Sequence, residues 1–157
     1  MKNLLKTVLA VAAIAFMASC DKNALDEETY LEVTPFNIEG IWELTELNGV
    51  PMGEGVFAYM EFVRQDRKFT GYYNFDSFAT VVETGKYDID IEDNSIGGYY
   101  DHSFKEQWKH SYIISELTSE RMVWTAEDDE NEVRVYMRID SLPDGIAPDS
   151  EDDGQDE

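Results

Sequence analysis

The chain has 157 residues with 34 acidic against 12 basic side chains, a formal net charge of −22. That length leaves room for one small core and not for two domains, and the charge argues against nucleic acid as a partner, since phosphate backbones are bound by clustered Lys and Arg. Aromatic residues make up 13%, including nine Tyr and eight Phe, and the apolar segments are short, glycine-punctuated and rich in Val, Ile, Tyr and Thr, which favours strands.

In chain order, Met1 to Lys6 is a basic opening, followed by the apolar run Thr7 to Ala18 and then Ser19 and Cys20. A run of 12 residues is short of the ~20 that span a bilayer, so residues 1–19 read as a signal peptide. Met17-Ala18-Ser19-Cys20 resembles the bacterial lipobox, with Met17 where Leu is more usual, and Cys20 is the only cysteine. The resemblance implies cleavage before Cys20 and acylation of its sulfur and its new amino group, a membrane anchor much firmer than one acyl chain provides. Ordinary secretion with a free Cys20 thiol is the alternative. Residues 20–35 lack a sustained period and end at Pro35, as a lipidated flexible tether would. Asp26-Glu27-Glu28 loosely resembles the surface-export signals of Bacteroidota lipoproteins, whereas Asp21, by analogy with enterobacterial sorting, would imply inner-membrane retention. The expected location is the outer membrane of the cell envelope, with the leaflet open.

From Phe36 the strand candidates come at short, regular spacing. Gly40 to Gly49 alternates, with Trp42 and Leu44 on one face and Ile41, Glu43 and Thr45 on the other. Asn48 to Gly55 is turn chemistry; Val56 to Arg64 and Phe69 to Phe75 then read as a hairpin turning at Gln65 to Lys68. Ala79 to Thr84 and Lys86 to Ile91 flank Gly85, the second with Tyr87, Ile89 and Ile91 on one face. Ile96 to Tyr100 is a short strand. Over residues 101–109, Ser103 and Glu106 have capping-box spacing and Phe104 and Trp108 are four apart, so the segment is either one or two helical turns or a structured loop. Tyr112 to Leu117, Arg121 to Ala126 and Glu132 to Ile139 supply the last strands, the final one alternating Val133, Val135, Met137 and Ile139 with Arg134, Tyr136 and Arg138; which of its faces turns inward is not set by the pattern. The barrel domain is therefore expected over residues 36–140, and an acidic disordered tail over 141–157.

About eight antiparallel strands can close into an up-and-down barrel, which leaves no free edge. Gly40-Ile41-Trp42 resembles the Gly-x-Trp opening of lipocalins and of the lipocalin-like (calycin-type) domains of Bacteroidota lipoproteins, and Val135 to Ile139 is similar to the last strand of that group. The resemblance implies an all-β, lipocalin-like barrel in which the last-strand arginine packs over the first-strand tryptophan: Trp42 with Arg138, or with Arg134 as the second choice. A two-sheet sandwich or another small barrel remains the alternative fold.

Chemistry is sparse. His102 and His110 with Asp101 or Glu106 have no recognised zinc spacing. Asp149-x-Glu151-x-Asp153-Gly154 resembles the start of a calcium loop but stops before the bidentate acid, and Ile89 and Ile91 make Asp88-x-Asp90-x-Glu92 a strand face. Ser103 beside His102 lacks a nucleophile elbow, and no phosphate-binding glycine loop occurs. No cofactor, no metal and no enzymatic activity are expected. The aromatics carry the binding signal: Tyr73, Phe75, Tyr99, Tyr100, Trp108 and Tyr112 either line a cavity, present a stacking surface or pack the core. The functional expectation is a lipid-anchored, non-enzymatic envelope protein that binds a small apolar or amphipathic molecule in its barrel. The alternative is an interaction or structural lipoprotein with a filled barrel whose loops contact an envelope protein or glycan.

Overall fold

Strand β1 (Gly40–Leu47) buries Trp42 and Leu44 and leaves Ile41, Glu43 and Thr45 on its outer face, the two-residue alternation of a strand with one apolar side. It belongs to a computed structural model that describes residues 29–75, 79–102 and 106–147. After β1 come a two-residue strand β2 (Val50–Pro51), then β3 (Ala58–Val63), β4 (Lys68–Tyr73), β5 (Val81–Asp90), β6 (Ser95–Tyr100), β7 (Tyr112–Ser115), β8 (Arg121–Ala126) and β9 (Asp129–Ile139). From β3 onward each strand pairs antiparallel with the next, β3 pairs with the first half of β1, and β2 adds only Val50 and Pro51 against Leu47 and Glu46. The last strand returns to the first, Ile41 opposite Ile139 through to Leu47 opposite Arg134. Eight strands thus close an antiparallel up-and-down β-barrel, and both seam strands are paired on two sides.

The chain enters β1 and leaves β9 at one end of this barrel, Ile41 lying opposite Ile139. Thr34 caps a single turn, α1 (Pro35–Ile38), its hydroxyl accepting from Asn37 N at 3.3 Å with Pro35 at the first helical position, the arrangement that suits a residue without an N–H. Ile38 is fully buried and Val33 nearly so, and Leu31 N donates to Leu117 O at 2.7 Å. The expected tether boundary at residue 35 is therefore too late. Residues 31–34 belong to the folded domain, because Val33 is needed to fill the core below Ile38.

One further expectation is corrected, and one open alternative is narrowed. Gly85 does not separate two strands but lies inside β5, opposite Phe69 and Tyr100. A Cβ there would collide with Tyr99 O and the Phe69 ring, so glycine is required for close approach within the sheet and not for a turn. Consequently Tyr87 and Ile89 point inward while Ile91, past the end of the strand, is exposed. Over 101–109, Ser103 and Phe104 lie outside the described residues, but the flanks are extended: Glu106 O accepts from Tyr100 N at 2.7 Å, Tyr99 bridges Gln107, and Trp108 N donates to Gly98 O at 2.9 Å. Glu106 to Trp108 thus continues the pairing along β6 where the short β7 has not yet begun.

The inward face of β9 is Arg134, Tyr136 and Arg138. Tyr136 is buried, whereas Val133, Val135, Met137 and Ile139 lie on the barrel's outer face, partly exposed. The more polar of the two faces is inside because its two arginines sit at opposite ends of the barrel, where their heads reach carbonyls, carboxylates and aromatic faces.

Candidate functional site

The two ends of the barrel differ, and Arg138 makes one of them closed. Trp42 and Arg138 are direct register partners across the β1–β9 seam, so the guanidinium carbon lies 4.2 Å from the Trp42 ring centre. The fork then ties three segments together: Nε donates to Ser119 O and Nη2 to Asn37 O, each at 2.7 Å, and Nη1 donates to Glu39 O. The Trp42 indole N–H donates to Ile38 O at 2.8 Å. Gly40, with φ +126°, passes beneath Nη1, where a Cβ would collide; the glycine of Gly40-Ile41-Trp42 is thus required by the arginine that faces it. Cation–π contact and charge-assisted hydrogen bonding act on the same group, while Ile38 and Val33 fill the space beneath.

At the opposite end the barrel is hollow. A cavity of about 290 Å³ is lined by aromatic rings from five strands and one loop: Phe69 and Tyr73 on β4, Tyr100 on β6, Trp108, Tyr112 on β7, Trp124 on β8 and Tyr136 on β9. Leu44, Ala58, Met60 and Gly71 complete the apolar wall, Phe75 stands at the rim, and Glu83, Lys109 and Arg134 supply charge. Trp124 is the hub, its ring centre 5.0 Å from Tyr136, 5.2 Å from Tyr112 and 5.8 Å from Trp108. Small side chains at Ala58 and Gly71 leave room that larger ones would fill, which is how an eight-stranded barrel comes to hold a space and not a solid core.

Arg134 marks the polar side of this cavity. Its guanidinium carbon lies 5.0 Å from the Tyr112 ring centre, and Nε and Nη2 donate to Glu132 Oε1 at 2.9 and 2.8 Å. Burial pushes the Tyr112 phenol up to about 12, against the opposing pull of Arg134, and burial also raises Tyr100 and Tyr136. An unfolded tyrosine ionises near ~10, so between about pH 10 and 12 the unfolded chain sheds a proton that folded Tyr112 keeps. Its contribution to stability, roughly 2 to 3 kcal/mol at ~1.36 kcal/mol per unit, is intact below about pH 10 and is lost as pH rises through about 12. The expected result is a denaturation midpoint that holds steady from neutral pH to about 10 and then falls, in step with tyrosinate absorbance. A midpoint unchanged up to pH ~12 would contradict it.

Of the aromatics singled out in the sequence, Tyr73, Phe75, Tyr100, Trp108 and Tyr112 come together around the cavity. Tyr99 does not: it faces outward, into a groove it shares with Gln107, His110 and Ser111. Sequence reading missed Trp124 and Tyr136, the two largest buried rings of the cavity wall; the alternation of Met122, Trp124 and Ala126 along β8 was the available signal. Arg134 and Arg138 both point inward, four residues apart, so the second-choice arginine sits in the cavity and the first on Trp42. His102 lies 3.4 Å from Glu83, and His110 Nδ1 lies 2.6 Å from Asp128, which holds that carboxyl below its ordinary range. Among the described residues no group of three or more His, Cys, Asp or Glu side chains could hold a metal ion. Cys20 lies outside the described residues.

Among solved structures, a lipocalin-like protein from Bacteroides uniformis ATCC 8492 is similar over 66% of this chain and 99% of that one, at 10% sequence identity and a TM-score of 0.48. No curated protein sequence matches the chain. The family model described as a lipocalin-like domain matches residues 38–124, from the last residue of α1 into β8, so β9 with its two inward arginines lies beyond the match. This match takes in the Gly40-Ile41-Trp42 opening and more than half of the chain, and the protein accordingly belongs to the lipocalin-like domain family.

Proposed function

We propose that this barrel is a non-enzymatic binding module for a small apolar or amphipathic molecule, held at the cell envelope by acyl chains on Cys20. The observation that carries the reading is the aromatic-walled cavity of about 290 Å³ at the end away from the Arg138 plug. That space is about twice the ~150 Å³ that admits a benzene, and lies at the lower edge of the ~300–1,000 Å³ typical of ligand pockets. A one- or two-ring compound or a short acyl chain fits it. The anchor rests on the lipobox-like Met17 to Cys20 and the apolar run before it, and the outer membrane is the location proposed.

Native mass spectrometry of protein taken directly from cells tests the binding. A retained small molecule is expected, lost in Gly71→Leu, whose side chain projects into the cavity. A ligand-free chain carrying a stable protein or glycan partner would instead favour a barrel that works through its loops. Labelling with a palmitate analogue tests the anchor: the label should vanish in Cys20→Ala, and unchanged membrane association of that variant would refute it.

A further inference from the structure

The cavity wall is not uniformly apolar, and the charges it carries are unlike those of the chain around it. In a chain of net charge −22, the charged groups lining the cavity are two cations, Arg134 and Lys109, and one carboxylate, Glu83. Glu83 faces His102 at 3.4 Å, while Lys109 lies near enough to Asp128 to help lower its carboxyl. Arg134 is pre-oriented: it lies on the Tyr112 ring, Glu132 takes Nε and one Nη2 hydrogen, and the Tyr136 hydroxyl is a further hydrogen-bond partner. A guanidinium has five N–H donors in a fixed fork, so donors remain for another acceptor. The Tyr100, Tyr112 and Tyr136 rings also line this side of the space, and Leu44, Ala58, Met60, Phe69 and Trp124 form the apolar remainder.

We propose, resting on the reading of this cavity as a ligand site, that it selects a compact amphipathic molecule with a single anionic group, a carboxylate or sulfonate. Arg134 receives the anionic group while the apolar body lies against Trp124 and Phe69. Arg is suited to this because its fork matches the geometry of such an anion. Glu132 has two roles here: it orients the guanidinium and it competes with the ligand, so the site accepts an anion only when the apolar body also binds.

Two fluorescent probes with the same two-ring body separate charge recognition from apolar binding: naphthalene sulfonate and its uncharged parent, naphthalene. In the wild-type chain both should bind, and Gly71→Leu should abolish both. Because Arg134→Met alone leaves Glu132 unpaired, the double variant Glu132→Gln/Arg134→Met is the informative one. It should weaken the sulfonate by about tenfold or more, the expected loss of a charge-assisted contact, and change naphthalene by less than about twofold. Glu132→Gln alone should tighten the sulfonate and leave the neutral probe unchanged. Equal weakening of both probes in the double variant would overturn the proposal, because Arg134 would then only support the wall. So would a sulfonate affinity that does not respond to the double variant. Binding of neither probe to the wild-type chain would overturn the ligand-site reading itself, a result distinct from loss of charge selectivity.

Discussion

Arg138→Ala should lower stability by about 2 to 4 kcal/mol, since hydrogen bonds from a charged donor and a cation–π contact each contribute on the order of 0.5 to 3 kcal/mol and part of the head remains solvated. The size of the effect comes from what the fork connects. Asn37 O and Glu39 O belong to α1 and the residue following it, Ser119 O to the β7–β8 turn, and Trp42 to β1. Removing the fork leaves three carbonyls to find water and uncovers an indole that is fully buried. Arg138→Lys should recover less than half of the loss, because an ammonium can satisfy carbonyls only from one point and does not lie flat on the ring. Gly40→Ala adds a check with a different sign of coupling: it should cost less in the Arg138→Ala background than in the wild-type chain, because the collision is with the arginine. The strain of φ +126° should remain in both. Chemical denaturation of the wild type and the four variants measures all of this, and an Arg138→Ala variant within ~0.5 kcal/mol of wild type, the usual range for surface substitutions, would show that the clamp is incidental.

Trp124→Ala should be costlier still, about 3 to 5 kcal/mol, the range for truncating a large buried aromatic. Trp124 is 1% exposed and contacts Phe62, Trp108, Tyr112 and Tyr136, so its loss removes packing from four neighbours at once. Against a typical total of ~5–15 kcal/mol, this brings the barrel close to unfolding. Trp124→Phe keeps a ring at the hub and should recover most of the loss. Because the indole also lines the cavity, the alanine variant should admit larger probes than the wild-type chain does. Denaturation gives the first effect and a series of neutral aromatic probes of increasing size the second; stability loss without any change in the size admitted would place Trp124 in the core alone.

Much of the barrel was legible because period-two alternation survives wherever a strand has one wet face. β1, β3, β4 and the second half of β5 all showed it, and Gly40-Ile41-Trp42 pointed to the seam. Legibility failed where a residue's reason lies across the sheet. Gly85 looked like a turn because the sequence does not reveal Tyr99 O and the Phe69 ring above it. The parity of β9 was ambiguous because its inward residues are two arginines and a tyrosine, and only the barrel ends make that face tolerable. Residues 101–109 left helical turns and a structured loop both open, because the spacing of Ser103 with Glu106 and Phe104 with Trp108 does not reveal that β6 offers the backbone of Glu106 to Trp108 its partners. Five of the six aromatics singled out fall around one cavity because strands adjacent in sequence are adjacent in this meander. Trp124 and Tyr136 were missed because closure brings the last strands round to the same wall.

That the chain enters β1 and leaves β9 at the plugged end has an outcome for geometry outside the barrel. Cys20 and Leu31 are eleven residues apart, a reach of at most roughly 40 Å of extended chain, and the chain enters beside α1, next to Arg138. If Cys20 is acylated as proposed, the tether joins the membrane to the plugged end of the barrel, and the mouth of the cavity lies at the end away from the attachment point.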